Sequence, residues 1–87
     1  MSINYIFCSD MKFGDISHDV VLLQKGLKKI GFLPENYTET GLYDINLKNI
    51  VNNFQHKYRV FNIFGFLLNR GSCVDAKTRY VLNKLLN

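Results

Sequence analysis

The groups in this sequence that could carry out acid–base or nucleophilic chemistry are seven carboxylates, two cysteines and two histidines. A hydrolase needs a positioned nucleophile or two carboxylates held in different protonation states. Asp19, Asp44 and Asp75 instead stand where helices begin, and Glu35 and Glu39 lie on a polar loop with no His or Cys near them in sequence. Cys8, His18, His56 and Cys73 follow no spacing typical of a zinc site. Cys73 sits beside Val74, an apolar setting that raises a thiol pKa and makes it a poor nucleophile. The expectation is a protein that is not an enzyme and uses neither metal nor cofactor. Cys8 and Cys73 could form a disulfide, but their spacing matches no secreted framework, and a reduced pair is the simpler expectation.

A formal charge of +4 favours anionic partners such as wall polymers, nucleic acid or acidic protein surfaces, although a well-solvated surface has the same balance. Lys77, Thr78, Arg79 and Tyr80 would open a helix able to enter a nucleic-acid groove. The basic residues are spread over every helical stretch, however, and those near helix ends complement the helix dipole. Nucleic acid is therefore disfavoured. The apolar run Tyr5-Ile6-Phe7-Cys8 is too short for a signal peptide, and no run approaches the ~20 apolar residues of a membrane span. A soluble product made in the cytoplasm is expected, which would reach the cell wall only through lysis, a virion or another carrier.

The elements that must position these groups centre on Gly41 to Gln55. Gly41 supplies a turn, Asp44 a helix cap, and Leu47, Ile50, Val51, Phe54 and Tyr58 recur at helical steps. The opposite face carries Lys48, Asn49, Asn52, Asn53 and His56. A shift of 31 residues carries Val51, Phe54 and Gln55 back onto Val20, Leu23 and Gln24. The same shift forward carries Asp44, Leu47, Ile50, Val51 and Phe54 onto Asp75, Thr78, Val81, Leu82 and Leu85. Such a period implies units that cannot bury their apolar faces alone.

In chain order, Ile3, Tyr5 and Phe7 alternate as in an extended segment within residues 1–13, and residues 14–87 form the domain. Ser17 caps a first helix whose buried stripe is Val20, Leu23, Leu27 and Ile30. Gly31 ends that helix, Phe32 folds back on Leu27, and Pro34 prevents its resumption. Glu35 to Thr40 make a polar loop with Tyr37 as a candidate contact residue. The run from Val60 to Leu68 is the most apolar in the chain. It packs against Tyr5 to Phe7 or serves as a partner surface. Asn69-Arg70-Gly71 turns into a third helix, capped by Asp75, with Thr78, Val81, Leu82 and Leu85 inside. The fold expected is all-α, a compact three-helix bundle with a pseudo-repeat.

Gly14, Asp19-Val20, Leu23-Gln24, Leu27, Gly31-Phe32, Gly41, Tyr43-Asp44, Ile50-Val51, Phe54-Gln55, Val74-Asp75, Thr78 and Leu82 form an ordered set. The set resembles the peptidoglycan-binding-domain-like family found beside cell-wall hydrolases. The resemblance covers Gly14 to about Leu86, and it departs at Leu47, where the family commonly has Thr. It also departs at the long segment from Val60 to Gly71. It implies a three-helix module that binds peptidoglycan non-covalently. Gln24 and Gln55 border the apolar stripe, where they could bond a backbone loop or a ligand, and the backbone role is favoured.

A glycan or stem-peptide site needs an exposed aromatic surrounded by amides and charges. Tyr37 and Tyr43 flank the turn into the second helix, with Asn46, Lys48, Asn49 and Asn52 on or near its outer side, and these six are the candidate ligand residues. The expected function is a non-catalytic peptidoglycan-binding module, of a kind that would suit a phage particle or lysis system. The alternative is a virion or assembly protein of the same fold, docking on other subunits through Tyr5, Ile6, Phe7, Phe61, Phe64, Phe66 and Leu67.

Overall fold

A computed structural model describes residues 10–59 and 73–87. The order of elements is β1 (Met11–Lys12), α1 (His18–Lys29), α2 (Ile45–Tyr58), β2 (Cys73–Val74) and α3 (Ala76–Leu86). The architecture is all-α, three helices around one core, with a minimal antiparallel pair of strands at one end.

Each helix begins where a side-chain oxygen answers a free amide of the first turn, which is why the chain turns helical there and not a residue earlier. Ser17 Oγ accepts from the Val20 amide, Asp44 Oδ1 from Leu47 and Asp75 Oδ1 from Thr78. The caps of α2 and α3 are close copies, with backbone angles of −91° and −176° at Asp44 against −93° and −174° at Asp75. The pseudo-repeat therefore extends from residue pattern to local geometry.

α1 closes as its sequence implies. The Phe32 amide donates to the Leu27 carbonyl at 2.8 Å and the Gly31 amide to that of Lys28 at 3.2 Å, with Gly31 at φ +90°. This turn carries the Phe32 ring to 5.5 Å from Phe54, edge to face, and Phe54 in turn meets Tyr58 at 4.9 Å. Arg59 ends α2 in the left-handed region at φ +53°, an uncommon conformation for a residue with a side chain.

The core is Val20, Leu23 and Leu27 of α1, Leu47, Val51 and Phe54 of α2, and Leu82 and Leu86 of α3, joined by Met11, Leu33, Tyr43 and Val74. Each large apolar side chain so buried contributes ~1.5–3 kcal/mol before the entropy of ordering it is subtracted. Two expectations change here. Leu85, placed on the inner face of the third helix, is 42% exposed, and Leu86 is buried instead. The buried row follows Thr78, Leu82 and Leu86 at four-residue steps, each advancing about 40° around the axis, so by the last turn the core lies on the Leu86 side. Ile30 caps α1 and is only partly buried.

Residues 11–17 act as a strap. Met11 and Lys12 pair with Val74 and Cys73, and farther along Ile16 bridges Leu42. The Ser17 amide reaches the Gly41 carbonyl, and the Tyr43 amide reaches that of Asp15. One short segment thus holds the residues that lead into both α2 and α3. Met11 is only 2% exposed, so the domain's core draws on residues preceding Gly14. The extended reading of Ile3, Tyr5 and Phe7, the Asn69 to Gly71 turn, the long link from Val60 to Gly71 and the Cys8 pairing all fall outside the described residues.

Candidate functional site

The approach to α2 is built from α1. Gln24 is fully buried, and its side-chain amide donates to the Tyr37 hydroxyl at 3.0 Å, Thr40 Oγ1 at 3.3 Å and the Leu42 carbonyl at 3.3 Å. Its carbonyl oxygen accepts from the Gly41 amide at 2.9 Å. One turn along, Lys28 Nζ donates to the Tyr37 carbonyl at 2.7 Å and pairs with Glu39 at 3.1 Å. Gln24 therefore takes the backbone role expected of it and adds two hydroxyls. Gln55 repeats the device one unit later, donating to Thr78 Oγ1 at 3.1 Å, while Thr78 Oγ1 donates to Asp75 Oδ1 at 3.0 Å. Each glutamine of the repeat holds the start of the following helix.

These bonds decide what Tyr37 and Tyr43 can do. Tyr43 is fully buried, so it is a core residue and cannot meet a ligand. The cause is its position next to the Asp44 cap, where the backbone pairs with the strap and the ring turns under α2, as Val74 does beside Asp75. Tyr37 is half-buried and its hydroxyl is engaged by Gln24. Burial raises its pKa above the ordinary 10.0, and the charges of Asp44 and Glu39 push the same way against the hydrogen bonds with Thr40 and Gln24. It braces the loop and has little surface left for a partner.

The four residues on α2 fare differently. Asn46 and Asn49 are exposed, Lys48 is half-buried, and Asn52 is half-buried with its side-chain carbonyl oxygen enclosed and unpartnered. Lys48 Nζ lies 5.6 Å from the centroid of the Phe13 ring. Phe13 is 49% exposed, and it is the open aromatic that the sequence reading missed. Ile16, Leu42 and Ile45 are also exposed, and Ile16 and Leu42 face each other across the strap as a closely spaced bridge pair. The start of α2 thus meets the strap through Lys48 and Phe13, with Ile16 and Leu42 forming an exposed apolar pair just before it. The missed signal was the pairing of residues 14–17 with the residues before α2, which sets Phe13 beside Lys48 and which no short-range period reveals.

Some ionic groups elsewhere are partnered. Asp15 accepts from the Lys12 amide, and Asp10 meets Arg79 at 2.8 Å. Lys77, Thr78, Arg79 and Tyr80 do not share a face, since Thr78 is fully buried and Arg79 is held by Asp10. Among the described residues no three His, Cys, Asp or Glu side chains gather where they could hold a metal ion. No described helix is long and apolar enough to cross a membrane. An open groove of about 340 Å³ is lined by Arg59, Ala76, Lys77, Tyr80 and Val81. The docking residues Tyr5, Ile6, Phe7, Phe61, Phe64, Phe66 and Leu67 lie outside the described residues.

No family model matches the chain, and no curated protein or solved structure matches it.

Proposed function

We propose that the protein is a non-catalytic module that binds bacterial cell-wall peptidoglycan. The observation that carries this reading is the start of α2, where Lys48 stands 5.6 Å from the ring centroid of exposed Phe13 and shares its side of the helix with exposed Ile45, three residues before it, with exposed Asn49 next in the chain. An aromatic and aliphatic margin suits the apolar faces of sugars and the methyls of acetyl and alanyl groups, and amides suit their hydroxyls. Three of the acids have other work: Asp44 and Asp75 cap helices, and Glu39 pairs with Lys28. A phage particle or lysis system is one setting that would bring such a module to the wall.

The test is retention of the purified chain on insoluble peptidoglycan sacculi at low and high salt, with DNA as competitor. Retention that survives salt and DNA is expected. Loss to either would reduce the interaction to charge, and no retention would overturn the reading. The second reading is an assembly or virion subunit. It draws support from the groove beside Tyr80, which is 63% exposed with Lys84 5.5 Å from its ring. A stable complex with another particle protein, weakened by Tyr80→Ser, would favour it.

A further inference from the structure

We infer that Phe13 and Lys48 together read the wall glycan through its sugar face and its carboxylate, a proposal that rests on the peptidoglycan reading above. Three observations point to this pair. Phe13 keeps about half its surface open although Lys48 stands 5.6 Å from its ring centroid. Lys48, like several other lysines, has no carboxylate within ion-pair distance among the described residues, but it alone of them stands over the open Phe13 ring. Ile45, three residues before Lys48 on the same side of α2, is exposed and apolar, so an anion reaching Lys48 would do so beside a poorly hydrated margin where its charge is less screened.

Charge argues against a second copy as the occupant. Two copies meeting through this face would bring like-charged Lys48 side chains together on chains that each carry +4. The complementary occupant is flat, partly apolar and anionic. In the wall that description fits the glycan strand, whose N-acetylated sugars have apolar ring faces and whose lactyl arms end in carboxylates once the stem peptides are cut away.

The probe is sacculi whose stem peptides have been cleaved at the lactyl amide, compared with chitin oligomers, which have similar rings and no carboxylate. The whole chain is used, as wild type and as Phe13→Ala, Lys48→Glu and Lys48→Arg. Wild-type protein is expected to bind the stripped glycan roughly tenfold more tightly than chitin. Phe13→Ala and Lys48→Glu should each weaken retention by roughly fivefold or more, while Lys48→Arg keeps it. Melting temperatures recorded alongside separate lost binding from lost folding, and Phe13→Leu replaces Phe13→Ala if the latter melts early. Full retention of wild type and of both disabling variants would overturn the Phe13–Lys48 proposal and leave the wall-binding reading standing. Equal binding to chitin would overturn the carboxylate part, and no binding to either stripped or untreated sacculi would overturn both.

Discussion

At the scale of single residues, Gln24 has the most consequential set of bonds. Gln24→Met keeps nearly the same volume but abandons the Gly41 amide and three acceptors, so it is expected to cost about 1–3 kcal/mol by urea denaturation. Faster hydrogen exchange at the Gly41 amide should accompany it. Glu39 supplies a pH test. Its pKa lies below the ordinary 4.5, first because of its own backbone hydrogen bond and then because of the one from Lys28. A carboxylate made more acidic by folding stabilises the folded state above its ordinary pKa, and that support is lost as pH falls through the lowered value. A carbon-detected titration should find the Glu39 midpoint below 4.5, and Lys28→Met should move it upward. Gln24 and Gln55 were visible in the sequence as a matched pair, and so was the backbone role of Gln24. The interior place of Tyr43 was not, because a Tyr beside a turn has the composition of a contact residue, and only the strap's pairing with its backbone turns the ring inward.

Among the elements, the repeat makes a comparative prediction. Asp44→Ala and Asp75→Ala should each cost about 1 kcal/mol, with Asp75→Ala the larger because its carboxylate also takes the Thr78 hydroxyl. Two-state unfolding of both variants in urea checks the order. The approach to α2 offers a second comparison. Gly41 has φ +76°, and an added Cβ would sit 3.1 Å from Val21 Cγ2 and 3.2 Å from the Ser17 carbonyl oxygen, whereas Gly14 at φ +95° has nothing within 4 Å. Gly41→Ala is expected to cost roughly 1–3 kcal/mol and more than Gly14→Ala, since both bear the strain but only one bears the crowding. The helices, their caps and most of their inner faces were legible from spacing alone, since a 3.6-residue period and a capping oxygen are local signals. Leu85 and Leu86 were exchanged because neighbouring residues in a last turn differ in burial only through what the rest of the molecule places beside them.

For the whole molecule, the strap sets the effective extent of the domain. A chain beginning at Gly14 would lack Met11, which belongs to the core, and the pairing of β1 with β2. It is expected to lose about 2–4 kcal/mol, comparable to emptying any other core site, and its melting temperature measures the loss. The all-α fold was readable from the sequence, but two paired residues at either side of a sheet produce no period. Met11 and Val74 could be joined only once the helices between them had been arranged in space. The candidate face shares that history, because its aromatic comes from the strap and its amides come from α2.

The pairing of Met11 with Val74 also orders events in time. A ribosome releases the first of these residues long before the second is made, and α1 and α2 with their caps can form meanwhile from contacts close in sequence. Until Val74 emerges, Met11 has no strand to join and the leading edge of α3 does not exist. Pairing of β1 with β2 is therefore late relative to the folding of α1 and α2. A nascent chain halted before β2 should be digestible around Phe13, whereas one that has cleared α3 should resist.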